Sequence, residues 1–315
     1  MTKIEKAIIS FPPIAFLITK SKLTAMPGAR SLNLFEVFIE FLKQIKNVGL
    51  AERAAAISFN LIMALPAALL FLFSIIPYLP DSNSFDVQIM ALFKDIAPNS
   101  STYNLIREIL RGLLIKHQGI FSFGFILLMY YSSNAVMGII RTFDKSIQEK
   151  KVFFLHRRWR AILLTAILIL LVIISTTFLI GHNQMESLLK KLFHMKKRAD
   201  LPWWDAIRWI ILIFFLFYVV ALVYKFAPSV HTRWPLVTPG SVFATSLTLI
   251  TTLLFSYWVN HFASYNRVYG SIGTVLIIML LINLNSLILL IGFELNVSIN
   301  KLLVQKKEIA LKKVG

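Results

Sequence analysis

One carboxylate stands at the edge of a strongly apolar helix. Glu294 directly follows the apolar run 271–293, and the same segment carries Asn283, Asn285, Ser286, Asn296 and Asn300. An ionisable group in a membrane span is costly and by default a functional candidate, as a proton relay or as the counter-charge for a cationic group. Depth offers a second role. With the span centred near residue 282, Glu294 lies about 18 Å away along an axis rising 1.5 Å per residue. There, at the interface, it would pair with a nearby Arg or Lys and hold the fold. The residues leave both roles open. Eleven residues make about three turns, so Asn283 and Glu294 share one face and Asn285 and Asn296 another. A helix polar on two faces cannot leave both in lipid, so this one is expected inside a bundle.

Other candidates follow from cost. Asn60 and Pro66 fall within the apolar run 54–79. Proline removes a backbone hydrogen bond and kinks a helix, freeing the carbonyl of Ile62 four residues earlier. The pair is read either as a cavity wall or as helix packing. Ser132, Ser133 and Asn134 interrupt the run 119–140 and should face other helices. Gly270 and Gly273 permit a tight entry and close packing at the start of the last run. Lys43, Lys46 and Arg53 are candidate contacts for lipid headgroups. No G-x-x-x-x-G-K-[ST] motif or other cofactor signature is present. The absence of cysteine excludes thiolate metal sites and cysteine nucleophiles.

What must position these residues is a set of six apolar runs, 54–79, 119–140, 161–181, 206–226, 239–260 and 271–293. Each matches the roughly 20 helical residues that cross a bilayer core about 30 Å thick. Backbone at that depth must satisfy its own hydrogen bonds, which selects helix. The fold class is therefore all-α: a polytopic membrane bundle of six transmembrane helices with amphipathic N-terminal and external helices. The chain is 57% hydrophobic, and no soluble catalytic domain fits in what the spans leave. Three regions follow: 1–53, a cytoplasmic or interfacial N-terminal region; 54–299, the six-span domain; and 300–315, a basic tail. Residues 32–50 have helical apolar spacing with Glu36, Glu40, Lys43, Gln44 and Lys46 opposite, an amphipathic helix on the cytoplasmic surface or packed under the bundle. Two short external helices are expected in 81–118, and the first 25 residues read as a retained interfacial segment.

Net charge is +18, with 33 Lys+Arg against 15 Asp+Glu. About two thirds of the basic residues fall on the side that holds both termini, which the positive-inside rule makes cytoplasmic. The loop 141–160 is strongly basic, while the basic residues of the external loop 182–205 run against the trend. Topology and anionic headgroups account for the charge without nucleic acid.

From Tyr218 onward the pattern becomes specific: Tyr224-Lys225-Phe226-Ala227-Pro228, Trp234, Pro239-Gly240-Ser241, Tyr269-Gly270-Ser271-Ile272-Gly273, then Gly292-Phe293-Glu294-Leu295-Asn296. Upstream, Arg53-Ala54-Ala55-Ala56-Ile57-Ser58-Phe59 with Pro66 fits the same scheme. In this order the pieces resemble the YihY/BrkB family of bacterial inner-membrane proteins, over about residues 30–300. Phe293 departs from the small residue usual between Gly292 and Glu294, which touches local packing. The resemblance implies six inner-membrane spans and brings links to serum resistance and envelope lipid handling. It also brings an old ribonuclease label. Six histidines, His117, His156, His182, His194, His231 and His261, are scattered with no H-x-H-x-D-H cluster, so nuclease chemistry is not expected.

The expected function is transport or translocation of a lipid-like or amphipathic envelope substrate through a cavity between spans, without an enzymatic step. A non-transporting scaffold for envelope machinery is the alternative, and an intramembrane lipid-modifying enzyme a third reading. Membrane lipids and envelope-assembly proteins are the expected partners.

Overall fold

The computed structural model describes residues 19–26, 29–75, 118–147, 154–192, 202–230, 234–261 and 264–314. The leading segment 1–18 and nearly all of the expected external helices in 81–118 lie outside the described residues. A short helical stretch at residues 19–23 precedes two short strands, β1 (Ala25–Met26) and β2 (Ala29–Asn33), which are followed by α1 (Leu34–Val48) and α2 (Leu50–Ile75). The remaining helices are α3 (Gln118–Ser146), α4 (Phe154–Leu192), α5 (Pro202–Phe226), α6 (Pro239–His261) and α7 (Ser264–Val314). From α2 to α7, six helices are long and apolar enough to cross a membrane.

Each spanning helix packs on the next in sequence, and α7 closes back onto α2. The result is a ring of six helices with up-and-down connections. Its core gathers Ile57, Ile140, Phe143, Leu164, Leu290 and Phe293, all buried. Phe293, the departure from the family pattern, stacks on Phe143 with ring centroids 3.7 Å apart and also meets Trp234 at 5.4 Å. The bulky residue therefore fills the centre of the ring. Hydroxyls that would otherwise face hydrocarbon turn back to their own helices: Ser58 Oγ donates to Ala54 O, Thr165 Oγ1 to Ala161 O and Thr245 Oγ1 to Ser241 O.

Several helices outrun their apolar segments. α3 continues to Ser146, α4 to Leu192, and α7 runs unbroken across residue 300 for 51 residues, about 76 Å. Hydropathy marks only the part of a helix that lipid touches; the hydrogen-bond ladder continues into polar sequence. The basic stretch 141–160 is therefore partly helical, with Arg157, Arg158 and Arg160 in the first two turns of α4. More than half of the expected external loop 182–205 is likewise helix, up to Leu192 in α4 and again from Pro202 in α5.

Helix α1 ends at Gly49, which takes a left-handed conformation (φ 62°) and turns the chain into α2. It packs antiparallel to the end of α7 through its acidic side: Lys306 Nζ lies 2.8 Å from Glu36 Oε2 and Lys301 Nζ 2.5 Å from Glu40 Oε1. The Lys306 hydrogen bond holds the Glu36 carboxyl below the ordinary carboxylate range. A lowered carboxylate stabilises above its unfolded value and loses that contribution as pH falls through the folded one. The pair is exposed, so the effect is small. Beneath it Met26, Leu32, Val37 and Ile299 form a satellite core. The β-hairpin was not foreseen, because strands this short carry no periodicity.

Candidate functional site

The antiparallel ring brings the start of α2, the end of α3, the start of α4, the end of α5, the start of α6 and the second half of α7 to one end. Three polar knots tie that end together.

Glu294 is at the centre of the first and is fully buried. Gln44 Nε2 of α1 donates to Glu294 Oε2 at 3.0 Å, and Ser146 Oγ of α3 donates to Oε1. Arg53 of α2 donates from Nη1 to Ser146 Oγ at 2.7 Å and lies 3.8 Å from Glu294 Oε1. A buried carboxylate needs both charge compensation and hydrogen bonds, and here three other helices, α1, α2 and α3, supply them. The second knot holds Asp144, whose carboxylate pairs with Arg157 Nε at 3.0 Å and accepts from Ser229 N and Oγ. Arg160 Nη2 donates to the same Ser229 Oγ at 2.8 Å.

The third knot joins two of the motifs. Gly240 N donates to Asn296 Oδ1, and Asn296 Nδ2 donates to Thr238 Oγ1, both at 2.9 Å. Tyr224 Oη donates to Leu289 O at 2.7 Å. Helices α6 and α7 touch where Gly240 meets Gly292: a Cβ on Gly240 would stand 2.1 Å from Gly292 O. The family's P-G-S and G-x-E-L-N pieces are thus one contact seen from two helices.

The remaining candidates scatter. Asn60 abuts Gly138 of α3 and donates from Nδ2 to its own Ala56 O at 2.8 Å. Pro66 is exposed on the outer face of α2, and Ile62 is half-buried. Asn134 accepts from Arg158 Nη1 at 2.6 Å. Asn283 is exposed, whereas Asn285 buries its Oδ1 without a hydrogen-bond partner. Gly270 and Gly273 lie within the early turns of α7. Lys43 and Lys46 are exposed on α1, while Arg53 is turned inward to Ser146 and Glu294. Gln44, Ser146, Asp144 and Ser229 were not singled out from sequence. For Asp144, Ser146 and Ser229 the one sequence signal is position near a span end; Gln44 lies within the amphipathic α1.

Away from the knots, a groove of about 240 Å³ opens between α2, α3 and α4. Its walls include Leu61, Ala64, Leu128, Ala135 and Ile169, with the hydroxyls of Ser132 and Thr165 the polar exceptions. Neither Asn60 nor Pro66 lines it. Among the described residues no group of three or more His, Asp or Glu side chains is placed to hold a metal ion.

The family model described as "Virulence factor BrkB" matches residues 41–314. The Bacillus subtilis protein YfkH, whose name calls it ribonuclease-like, is 27% identical over 253 residues, covering 79% of this chain and 90% of that protein. A UPF0761 membrane protein of Idiomarina loihiensis is 31% identical over 100 residues, 32% of this chain and 35% of that protein. Another from Tolumonas auensis is 27% identical over 82 residues, 26% of this chain and 27% of that protein. No solved structure matches the chain. With its six candidate spans and a family match that takes in every described helix from α2 to α7, the chain is a membrane protein of the BrkB family.

Proposed function

We propose that this protein translocates a lipid-like, amphipathic envelope substrate, with the apolar part of the substrate running in the groove between α2, α3 and α4. The groove carries the reading. It faces lipid, its walls are aliphatic, and its Thr165 hydroxyl is already spent on Ala161 O, so its chemistry suits an acyl chain rather than a polar solute. The polar knots close one end of the ring and supply a seal that translocation would have to open. No bond-breaking step is assigned to the chain. The reading places it in the bacterial inner membrane with both termini cytoplasmic, on the side of the basic excess; reporter fusions at residues 190 and 315 would read opposite sides.

The scaffold alternative draws on a different observation: a closed ring pinned at one end by three knots is also what a rigid platform needs. Proteoliposomes separate the two. Translocation of a tail-labelled phospholipid should exceed that of protein-free vesicles, and Ala64→Phe, which fills the groove, should return it to the protein-free rate. A wild-type rate equal to that of empty vesicles would leave the scaffold.

A further inference from the structure

We propose that Arg158 forms a binding site for the phosphate of an anionic lipid headgroup at the outer surface of α3 and α4. Three arginines enter α4 together, and two are committed within the bundle: Arg157 pairs with Asp144, and Arg160 bonds Ser229, itself held by Asp144. Arg158 turns away from them. Its Nη1 donates to Asn134 Oδ1 at 2.6 Å, and its guanidinium carbon sits 5.9 Å from the ring centroid of Tyr130. Both contacts fix the plane of the guanidinium without neutralising it. Among the described residues no carboxylate pairs with Arg158.

The surroundings are those of an interface. Arg158 borders an open hollow along the surface of α4 with Leu155, His156, Trp159 and Ile162. Trp159 is 68% exposed and Leu155 67%, an aromatic and aliphatic rim of the kind that sits at headgroup level, while Tyr130 lies deeper, midway along the run 119–140. A guanidinium held on one edge by Asn134 leaves its other edge for a bidentate oxyanion, and phosphate has the matching geometry. In low dielectric an unneutralised positive charge is costly, so an anionic headgroup is favoured over a zwitterionic one. The site also has a direction. At 100° per residue, Arg158, Ile162, Thr165 and Ile169 fall on one stripe of α4, and the last two line the acyl groove. The binding site does not depend on translocation, since a scaffold could hold the same lipid.

Detergent-purified wild-type protein, titrated with short-chain phosphatidylglycerol, phosphatidylcholine and inorganic phosphate under native mass spectrometry, tests it. The wild type should bind phosphatidylglycerol about tenfold more tightly than phosphatidylcholine, the scale of one charge-assisted hydrogen-bonded contact. Arg158→Gln should lose that preference and Arg158→Lys should keep part of it. Equal binding of the two lipids by the wild type, or an unchanged preference in Arg158→Gln, would overturn the proposal. Inorganic phosphate binding as tightly as phosphatidylglycerol would assign the site to the free anion and overturn the lipid reading.

Discussion

Glu294→Ala is expected to cost the folded protein about 3 kcal/mol, the low end of the range for removing one partner of a buried ion pair. The low end applies because Arg53 keeps its bond to Ser146 and its side chain is 18% exposed, so water can reach part of the orphaned charge. Gln44 also loses its acceptor. Glu294→Gln should cost less, since the amide oxygen can still accept. Arg53→Ala combined with Glu294→Ala should be less damaging than the sum of the two, because the double variant leaves no unpaired charge. Reversible unfolding in mixed micelles reads all three. A Glu294→Ala protein within about 0.5 kcal/mol of wild type, the ordinary scatter of surface substitutions, would remove the clamp from the account. The Gln variant also distinguishes the two roles that the sequence left open: unchanged translocation with a modest loss of stability makes Glu294 a clamp, whereas abolished translocation at full stability makes it a relay.

Gly240→Ala is expected to be the most damaging single-methyl change in the bundle. The new Cβ would stand 2.1 Å from Gly292 O and 2.6 Å from Asn296 Oδ1. The first of these is backbone, so α6 and α7 must separate, and the Gly240 N to Asn296 bond would break with them. Overpacking ordinarily costs about 1–3 kcal/mol, and loss of the knot places this substitution at the upper end. Gly138→Ala is the internal control. Its Cβ would meet the side-chain amide of Asn60 at 2.8 Å, a group able to rotate away, and the helix gains about 1 kcal/mol from alanine. Near-neutral stability is expected there. Equal losses in the two variants would contradict the close-approach reading of Gly240 and Gly292.

The spans were legible because lipid demands long apolar runs, and Glu294, Asn296 and Gly292 because polar and small residues in such runs are rare. The partners were not legible. Nothing in the sequence ties Gln44 to Glu294 across 250 positions or Ser146 across 148; only the ring brings them together. Asn283 shows a limit of helical-wheel reasoning. It shares a face with Glu294 yet is exposed, because that face of α7 is covered by α1 only beside its second half. Near Val275 to Leu280 the helix lies at the rim, with several large apolar residues open to lipid. Helix α1 was read correctly as amphipathic, but its acidic side meets Lys301 and Lys306 while Phe38, Ile39 and Leu42 point outward. Charge pairing with α7 set its orientation, and hydropathy alone gave no warning of that.

The groove between α2, α3 and α4 is the centre of the account, and its occupancy can be measured directly. Protein extracted from bacterial membranes, washed extensively in detergent and analysed for bound phospholipid should retain about one acyl-bearing molecule per chain. Ala64→Phe, with the groove filled, should retain none while unfolding at the wild-type midpoint. Equal phospholipid on the two proteins would show that lipid is held elsewhere and would contradict the groove as the substrate's path.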